Sequence, residues 1–200
     1  MADKLKKTTK GYTNGNLVFE VNTAEKTAKV KDFNPKKDIT EIPTEVIVDN
    51  ETLTVTAIEK MALCKCKKLT TLVVPETVTE IGDLAFAHSS IQSIVIGDNV
   101  KHLGLWFEQC ENLKSVTLGA GIETATELNI FRRVDFCSTP AVREIIVKSP
   151  TPIPNIKGAF YGILNDQIAR QLCKVYVPKG SLAAYQSAEG WKDLRLLGQE

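Results

Sequence analysis

The chain has 200 residues, and its 25 Lys or Arg residues and 24 Asp or Glu residues leave a formal net charge of +1. A hydrophobic fraction of 43% is ordinary for a folded chain, and this length favours one domain, or one domain with a small cap. The balanced charge argues against a nucleic-acid partner, which needs a basic surface. No stretch approaches the roughly 18 apolar residues of a membrane-spanning helix, so we expect no transmembrane segment.

Residues 1–11 are polar and contain a basic run from Lys4 to Lys10, which predicts a disordered tail. A nucleic-acid-binding arm is the alternative interpretation of this run. The charged start has no apolar segment behind it and is therefore not a signal peptide. The chain is then either cytoplasmic or the mature part of a protein whose leader was removed.

Two strand–turn–strand patterns follow the tail. Residues 17–21 and 27–30 flank one polar turn, and residues 45–48 and 52–55 flank a second turn at residues 49–51. Apolar and polar residues alternate on both sides of each turn, which is typical of paired strands. We predict that residues 12–54 form an N-terminal β cap, because an uncapped repeat array exposes its core and a strand edge.

Residues 55–148 repeat one pattern, and the units begin near Val55, Val78, Val100 and Ile122. The first three units end in strand-like tails of the same form: Leu69-x-x-Leu72-x-Val74, Ile91-x-x-Ile94-x-Ile96 and Leu113-x-x-Val116-x-Leu118. A period of about 20–50 residues is typical of a solenoid. Gly82 and Gly104 recur at one position of the repeat, which suggests a bend with an unusual backbone angle.

The tails are predicted to stack into a parallel sheet whose side chains alternate between core and solvent. Inward positions are Leu72, Ile94, Val116 and Ile145. One outward column, the polar column, contains Thr71, Ser93, Ser115, Glu144 and Lys174. The next, the apolar column, contains Val73, Val95, Thr117, Ile146 and Tyr176. The apolar column is a candidate binding surface; the alternative is that β-branched residues simply suit strands.

Other candidate sites lie in the turns. The enlarged fourth unit contains Arg132, Arg133 and Phe136, which form either a loop that recognises an acidic partner or a solvated loop. Trp106 and Phe107 are interpreted as core aromatics, with an exposed binding anchor as the alternative.

The sequence predicts no catalytic, cofactor or metal site. Five cysteines cannot all pair, and Cys66 and Cys110 lie two coils apart, or about 10 Å, which exceeds the roughly 7 Å limit for a disulfide. We therefore interpret the cysteines as small buried hydrophobic residues. His88 and His102, the two histidines, occupy different positions of the repeat and lie near no nucleophile motif.

Residues 149–200 are predicted to form a terminal repeat and a C-terminal cap. A proline-rich connector at residues 149–154 leads to a last tail strand at residues 173–178. We expect Ser181 to cap the N-terminus of a short helix that ends at Gly190. Trp191 and Leu194 supply its apolar surface.

These residues resemble a known family. The segment Val78-x-x-Ile81-Gly82-x-x-Ala85-Phe86, the strand tails and the end from Val175 to Leu194 are similar to leucine-rich repeats of the BspA type, over roughly residues 12–197. The expected fold is an α/β repeat solenoid, rich in β-structure and formed by one domain. It would be a short right-handed array with an N-terminal β-hairpin cap and a C-terminal strand–helix cap.

The resemblance also implies a general role. Members of the family are typically surface or secreted proteins of host-associated bacteria, some of which bind host proteins. We therefore expect an extracellular or cell-surface protein, with a cytoplasmic location as the alternative. It would bind a protein or glycan through the sheet face, without catalysis or cofactors. The alternative function is a structural spacer that self-associates weakly through the same face as a homo-oligomer.

Overall fold

The computed structural model describes residues 2–125 and 142–199. The chain begins with seven strands of one sheet: β1 (Asp3–Lys4), β2 (Lys6–Thr8), β3 (Gly11–Thr13), β4 (Leu17–Asn22), β5 (Thr27–Phe33), β6 (Glu45–Val48) and β7 (Glu51–Ile58). Their order across the sheet is β1-β6-β7-β5-β4-β3-β2. Both predicted strand–turn–strand patterns are present, because β4 pairs antiparallel with β5 and β6 pairs antiparallel with β7.

The prediction of a disordered tail is wrong for the described part of residues 1–11. β1 pairs with β6 in parallel, and β2 pairs with β3 in antiparallel orientation. Leu5 is buried, and its backbone N–H donates to the carbonyl oxygen of Ile47 at 2.8 Å. The basic run suggested disorder because its lysines are exposed. Leu5, which lies among them, is buried and holds the segment against the core.

The repeats form the second part of the fold. Strands and short bridges alternate along the chain: β8 (Thr71–Val73), β9 (Glu80–Ile81), β10 (Ser93–Val95), β11 (His102–Leu103), β12 (Ser115–Leu118), β13 (Thr124–Ala125) and β14 (Glu144–Val147). They are followed by β15 (Lys174–Val177) and β16 (Arg195–Gly198). Six of these strands form one sheet in the order β16-β15-β14-β12-β10-β8, with every neighbouring pair parallel. β9 pairs with β7 and so joins the repeats to the first sheet.

One hydrophobic core runs through both sheets. The inward residues of the six-stranded sheet belong to the same buried cluster as Val55 and Leu53 of β7. Aromatic residues fill the coil turns, where the rings of Phe86 and Phe107 stack with their centroids 5.7 Å apart.

Close packing explains the recurring glycines, against the preceding coil at Gly82 and against the Trp106 ring of its own coil at Gly104, and the predicted unusual backbone angle is wrong. Neither Gly82 nor Gly104 has a positive φ. A Cβ atom at Gly82 would lie 2.8 Å from the Cα of Lys60 in the preceding coil. At Gly104 a Cβ atom would lie 2.7 Å from the indole Nε1 of Trp106. Leu84, which follows Gly82, has the positive φ of 60°.

The C-terminal region contains elements that the sequence analysis missed. Three short helices, α1 (Ile156–Ala159), α2 (Tyr161–Leu164) and α3 (Gln167–Leu172), lie between β14 and β15. A fourth helix, α4 (Leu182–Ser187), confirms the predicted helix, and Trp191 is fully buried as expected. Ser181 instead lies in a 3-10 turn and its side chain makes no capping hydrogen bond. The helix ends before Gly190, which has a φ of +81°.

Candidate functional site

The outward face of the six-stranded sheet brings the predicted columns together. Ser93 pairs with Thr71 on one side and with Ser115 on the other, and the register continues to Glu144 and Lys174. The apolar column is aligned in the same way: Val73, Val95, Thr117, Ile146 and Tyr176. Both columns therefore run straight across the strands, with neighbours about 4.8 Å apart.

The final strand extends each column by a residue that sequence reasoning missed. Arg195 pairs with Lys174 in the polar column, and Leu197 pairs with Tyr176 in the apolar column. β16 was missed because a helix separates it from the last repeat tail. The alternation in Arg195-Leu196-Leu197 is too short to predict a strand by itself.

Alternation along the strands separates this face from the core. Leu72, Ile94, Val116, Ile145 and Val175 are at most 2% exposed. Val73 is 59% exposed at the outer strand β8, whereas Val95, Thr117, Ile146 and Tyr176 are half-buried. The apolar column is thus accessible along its length and most accessible at β8.

The polar column changes character across the sheet. At β8, β10 and β12 it contains only hydroxyl side chains. At β14 the Ser115 hydroxyl donates a hydrogen bond to Oε2 of Glu144 at 3.3 Å. At β15 and β16 it becomes basic, with Lys174 beside Arg195. The face therefore combines an apolar line with hydrogen-bonding groups on one side and positive charge at one end.

A ladder of carboxylates links successive coils just beyond the C-terminal ends of β8, β10 and β12. Oε2 of Glu76 accepts a hydrogen bond from the N–H of Asp98 at 2.6 Å, and Oδ1 of Asp98 accepts one from the N–H of Ala120 at 3.0 Å. Lys148 also contacts that oxygen at 3.0 Å. The Ala120 N–H, followed by Lys148, lowers the pKa of Asp98 because both favour the charged carboxylate.

Two other candidate sites were predicted in the turns, and the structure describes one of them. Trp106 and Phe107 are at most 2% exposed, and the Trp106 indole N–H donates to the carbonyl oxygen of Ile81 at 3.1 Å. The core interpretation of these aromatics is therefore confirmed. Arg132, Arg133 and Phe136 lie outside the described residues, and the candidate loop stays a prediction.

The cysteines fit the interpretation as buried hydrophobic residues. Cys64, Cys66, Cys110 and Cys173 are free thiols, and three of them are buried. Burial raises the pKa of Cys110 to about 11 and that of Cys173 to about 12, which keeps both protonated at neutral pH. Cys137 lies outside the described residues.

The described residues contain no group of three or more His, Cys, Asp or Glu side chains that could hold a metal ion. His88 lies in a coil turn and His102 on β11, where Nδ1 of His102 is 2.8 Å from the Thr124 hydroxyl. Within residues 2–125 and 142–199, no helix has the length and apolarity required to span a membrane.

The fold and its exposed sheet define a β-rich repeat protein built from stacked coils. A family profile described as "BspA type Leucine rich repeat region (6 copies)" matches residues 44–149, which is more than half of the sequence. The chain therefore belongs to the BspA-type leucine-rich repeat family, as the sequence resemblance predicted.

Solved structures support the same fold. A leucine-rich repeat protein from Bacteroides ovatus is 19% identical over 92% of this chain, with a TM-score of 0.56. A second, from Bacteroides capillosus, is 24% identical over 66% of this chain and 94% of its own, with a TM-score of 0.55. The T. pallidum leucine rich repeat protein is 14% identical over 94% of this chain and 82% of its own, with a TM-score of 0.58.

These likenesses concern the fold alone. This chain spans 40% of the length of the Bacteroides ovatus protein. No curated protein matches the sequence significantly.

Proposed function

We propose that the chain is a non-catalytic binding module that recognises a protein, or a glycan, through the outward face of the six-stranded sheet. Membership in the leucine-rich repeat family supports a protein-binding, surface-associated role in general. The observation that carries the proposal is the apolar column. From Val73 to Leu197 its side chains are aligned strand by strand and accessible to solvent.

The size of the face supports recognition of a small or extended ligand. Six strands span about 24 Å, and the three or four residues of each strand add about 10–13 Å. The face is therefore on the order of 300 Å², compared with about 800 Å² per partner in a standard protein–protein interface. A ligand on this face would bind modestly, or would also contact neighbouring surfaces.

We place this activity at a bacterial cell surface or outside the cell, as is typical of the family. The elements before β8 and after β14 act as caps in this proposal. The first sheet covers one end of the repeats, and α4 with β16 covers the other. The array is right-handed in this proposal, as leucine-rich repeats are.

A binding screen with matched variants tests the proposal. Wild-type protein is applied to arrays of secreted host proteins and of glycans. Val73→Lys and Ile146→Lys each place one positive charge in the apolar column, whereas Thr79→Lys adds the same charge at an exposed position beside β9. The proposal expects the column variants to lose the ligand and Thr79→Lys to retain it. Equal retention by all three, with circular dichroism unchanged, would exclude this face.

Self-association through the same column is the second candidate function, and the exposure of Val73 at an outer strand favours it. An exposed apolar residue on an outer strand is a site where two sheets can meet. Size-exclusion chromatography with light scattering distinguishes the two functions. A stable oligomer that Val73→Lys dissociates supports a structural spacer, whereas a monomer supports a binding module.

A further inference from the structure

Two lysine-rich segments that are distant in the sequence meet beside the first repeat coil. Lys36 and Lys37 lie between β5 and β6, and Lys65, Lys67 and Lys68 lie in the coil turn before β8. All five side chains are exposed. The Lys68 ammonium donates a hydrogen bond to the carbonyl oxygen of Lys36 at 3.1 Å, which joins the two segments. These five residues form the lysine cluster.

Most of the positive charge of the lysine cluster is unpaired. Over residues 2–125 and 142–199, its one ion pair joins Lys68 to Asp38 at 3.6 Å. The Lys67 ammonium donates to the carbonyl oxygen of His88 at 2.9 Å, a contact that fixes the side chain without neutralising it. Five lysines with one carboxylate partner leave four positive charges without a counter-charge, although the whole chain has a formal net charge of +1.

Other carboxylates of the cap and the coils form no ion pair with the lysine cluster: Glu41, Glu59, Asp83, Glu108 and Glu111. Glu41 and Glu45 line a separate depression that includes none of the five lysines. Glu108 and Glu111 belong to the third coil, two spacings or about 10 Å from the first. Salt screens exposed charges over about the same distance. The lysine cluster is therefore a local positive patch on a nearly neutral protein.

The chemistry of the lysine cluster favours one class of polyanion. A lysine ammonium is a compact point charge, which suits a sulfate group, whereas arginine adds planar, bidentate geometry. Protein interfaces are depleted in lysine and enriched in arginine and aromatic residues, and single-stranded nucleic acids stack on aromatic side chains. Residues 35–38 and 64–68 contain neither arginine nor an aromatic residue. A membrane surface would also need inserted apolar side chains, and Met61 is the one large apolar side chain exposed in this coil turn.

We propose that the lysine cluster binds a sulfated glycan chain, at a site distinct from the sheet face. Lysine-rich patches of this size are typical of polyanion binding. Sulfate groups of one chain would contact both lysine segments and release the counterions held there, so that affinity falls as the salt concentration rises. The contact between Lys68 and Lys36 keeps the two segments together for such a chain.

The lysine cluster and the apolar column can be tested independently. Val73→Lys/Ile146→Lys alters the apolar column and leaves all five lysines in place. Substitutions in the lysine cluster leave every residue of the apolar column unchanged. The sheet-face proposal can therefore fail while the lysine cluster still binds its glycan, and the reverse also holds.

Fluorescence anisotropy with the full chain tests the lysine cluster. The probe is a labelled heparin oligosaccharide, and the same oligosaccharide after chemical desulfation is its control. Lys37→Gln/Lys65→Gln removes two of the five charges. Gln109 occupies the position of Lys65 two coils further on, with a φ of 54° against 63°, so the variant should fold. We expect it to bind heparin about tenfold more weakly, with a shallower dependence on salt. Desulfation should weaken binding to wild type by at least about tenfold.

Lys179→Gln/Lys192→Gln is the matched control, because it removes the same charge from exposed lysines beside β15 and β16, at least four strand spacings or about 19 Å from β8. It should change heparin affinity by less than about twofold, and Val73→Lys/Ile146→Lys should not weaken it. Equal losses in the two lysine double variants, or equal affinity for the desulfated probe, would overturn the proposal. Tighter binding of single-stranded DNA of equal charge, or of phosphatidylserine vesicles, would overturn it in favour of a nucleic acid or a membrane.

Discussion

Gly82→Ala probes how tightly the coils are stacked. The added Cβ would lie 2.8 Å from the Cα of Lys60 and 2.9 Å from the carbonyl carbon of Glu59. Both are backbone atoms and cannot rotate away, so the second coil must move from the first. That movement would also stretch the hydrogen bond from the N–H of Gly82 to the carbonyl oxygen of Ile58, which is 2.8 Å long.

The close contact of the added Cβ and the stretched hydrogen bond should both lower the free energy of unfolding. Overpacking a well-packed site costs about 1–3 kcal/mol, and weakening one interior hydrogen bond costs about 1 kcal/mol more. We therefore expect Gly82→Ala to lower the free energy of unfolding by about 2–4 kcal/mol. For a chain of this length, the melting temperature should fall by about 4–15 °C.

Urea unfolding followed by tryptophan fluorescence measures the effect. Trp106 reports on the site directly, because its indole N–H donates to the carbonyl oxygen of Ile81, the residue before Gly82. Gly180→Ala is the control, since a Cβ at Gly180 would meet no atom within 4 Å. That variant should change the free energy of unfolding by less than about 0.5 kcal/mol. If Gly82→Ala were as stable as Gly180→Ala, the close stacking of the coils would be refuted.

Three further predictions concern polar groups in the fold. The pKa of Asp98 is lowered, so the stability it supplies is present above its ordinary pKa of 3.8 and is lost as the pH falls through the lower folded-state value. The urea midpoint of unfolding should therefore fall more for wild type than for Asp98→Asn between pH 5 and about pH 3. The difference should be small, since the Asp98 side chain is 44% exposed. Urea midpoints that fall equally with pH in both proteins would contradict a stabilising role of the Asp98 carboxylate. Tyr185→Phe should cost about 1–3 kcal/mol by thermal denaturation, because the buried hydroxyl donates to two backbone carbonyls at 2.9 Å; an unchanged melting temperature would exclude this role. Cys110 and Cys173 should not react with a thiol reagent at pH 7 until urea unfolds the chain, because burial raises their pKa values; rapid labelling of the native protein would disprove their burial.

The repeat predicted the sheet because the spacing and the alternation agree. Val73, Val95 and Thr117 are each one residue past a buried position, and the constant interval of 22 residues between them aligns them across strands. The two antiparallel pairs before the repeats were predictable for a similar reason, since each is joined by a polar turn that marks the pairing.

Elements held by tertiary contacts were not predictable from local pattern. β1 depends on a single buried leucine, Leu5, and on pairing with β6, which is more than 40 residues away. β16 depends on β15, to which α4 returns the chain. Ile168 and Leu172 of α3 look like core residues in the sequence, and only their exposure in the fold distinguishes them.

We propose that the apolar column of the six-stranded sheet binds a protein or glycan ligand. Its most direct test is the dissociation constant of the ligand found in the array screen, measured by surface plasmon resonance for wild type, for a Val73→Lys/Ile146→Lys double variant and for Thr79→Lys. We expect at least about a tenfold loss of affinity for the double variant and wild-type affinity for Thr79→Lys. Wild-type affinity in a folded double variant would contradict it.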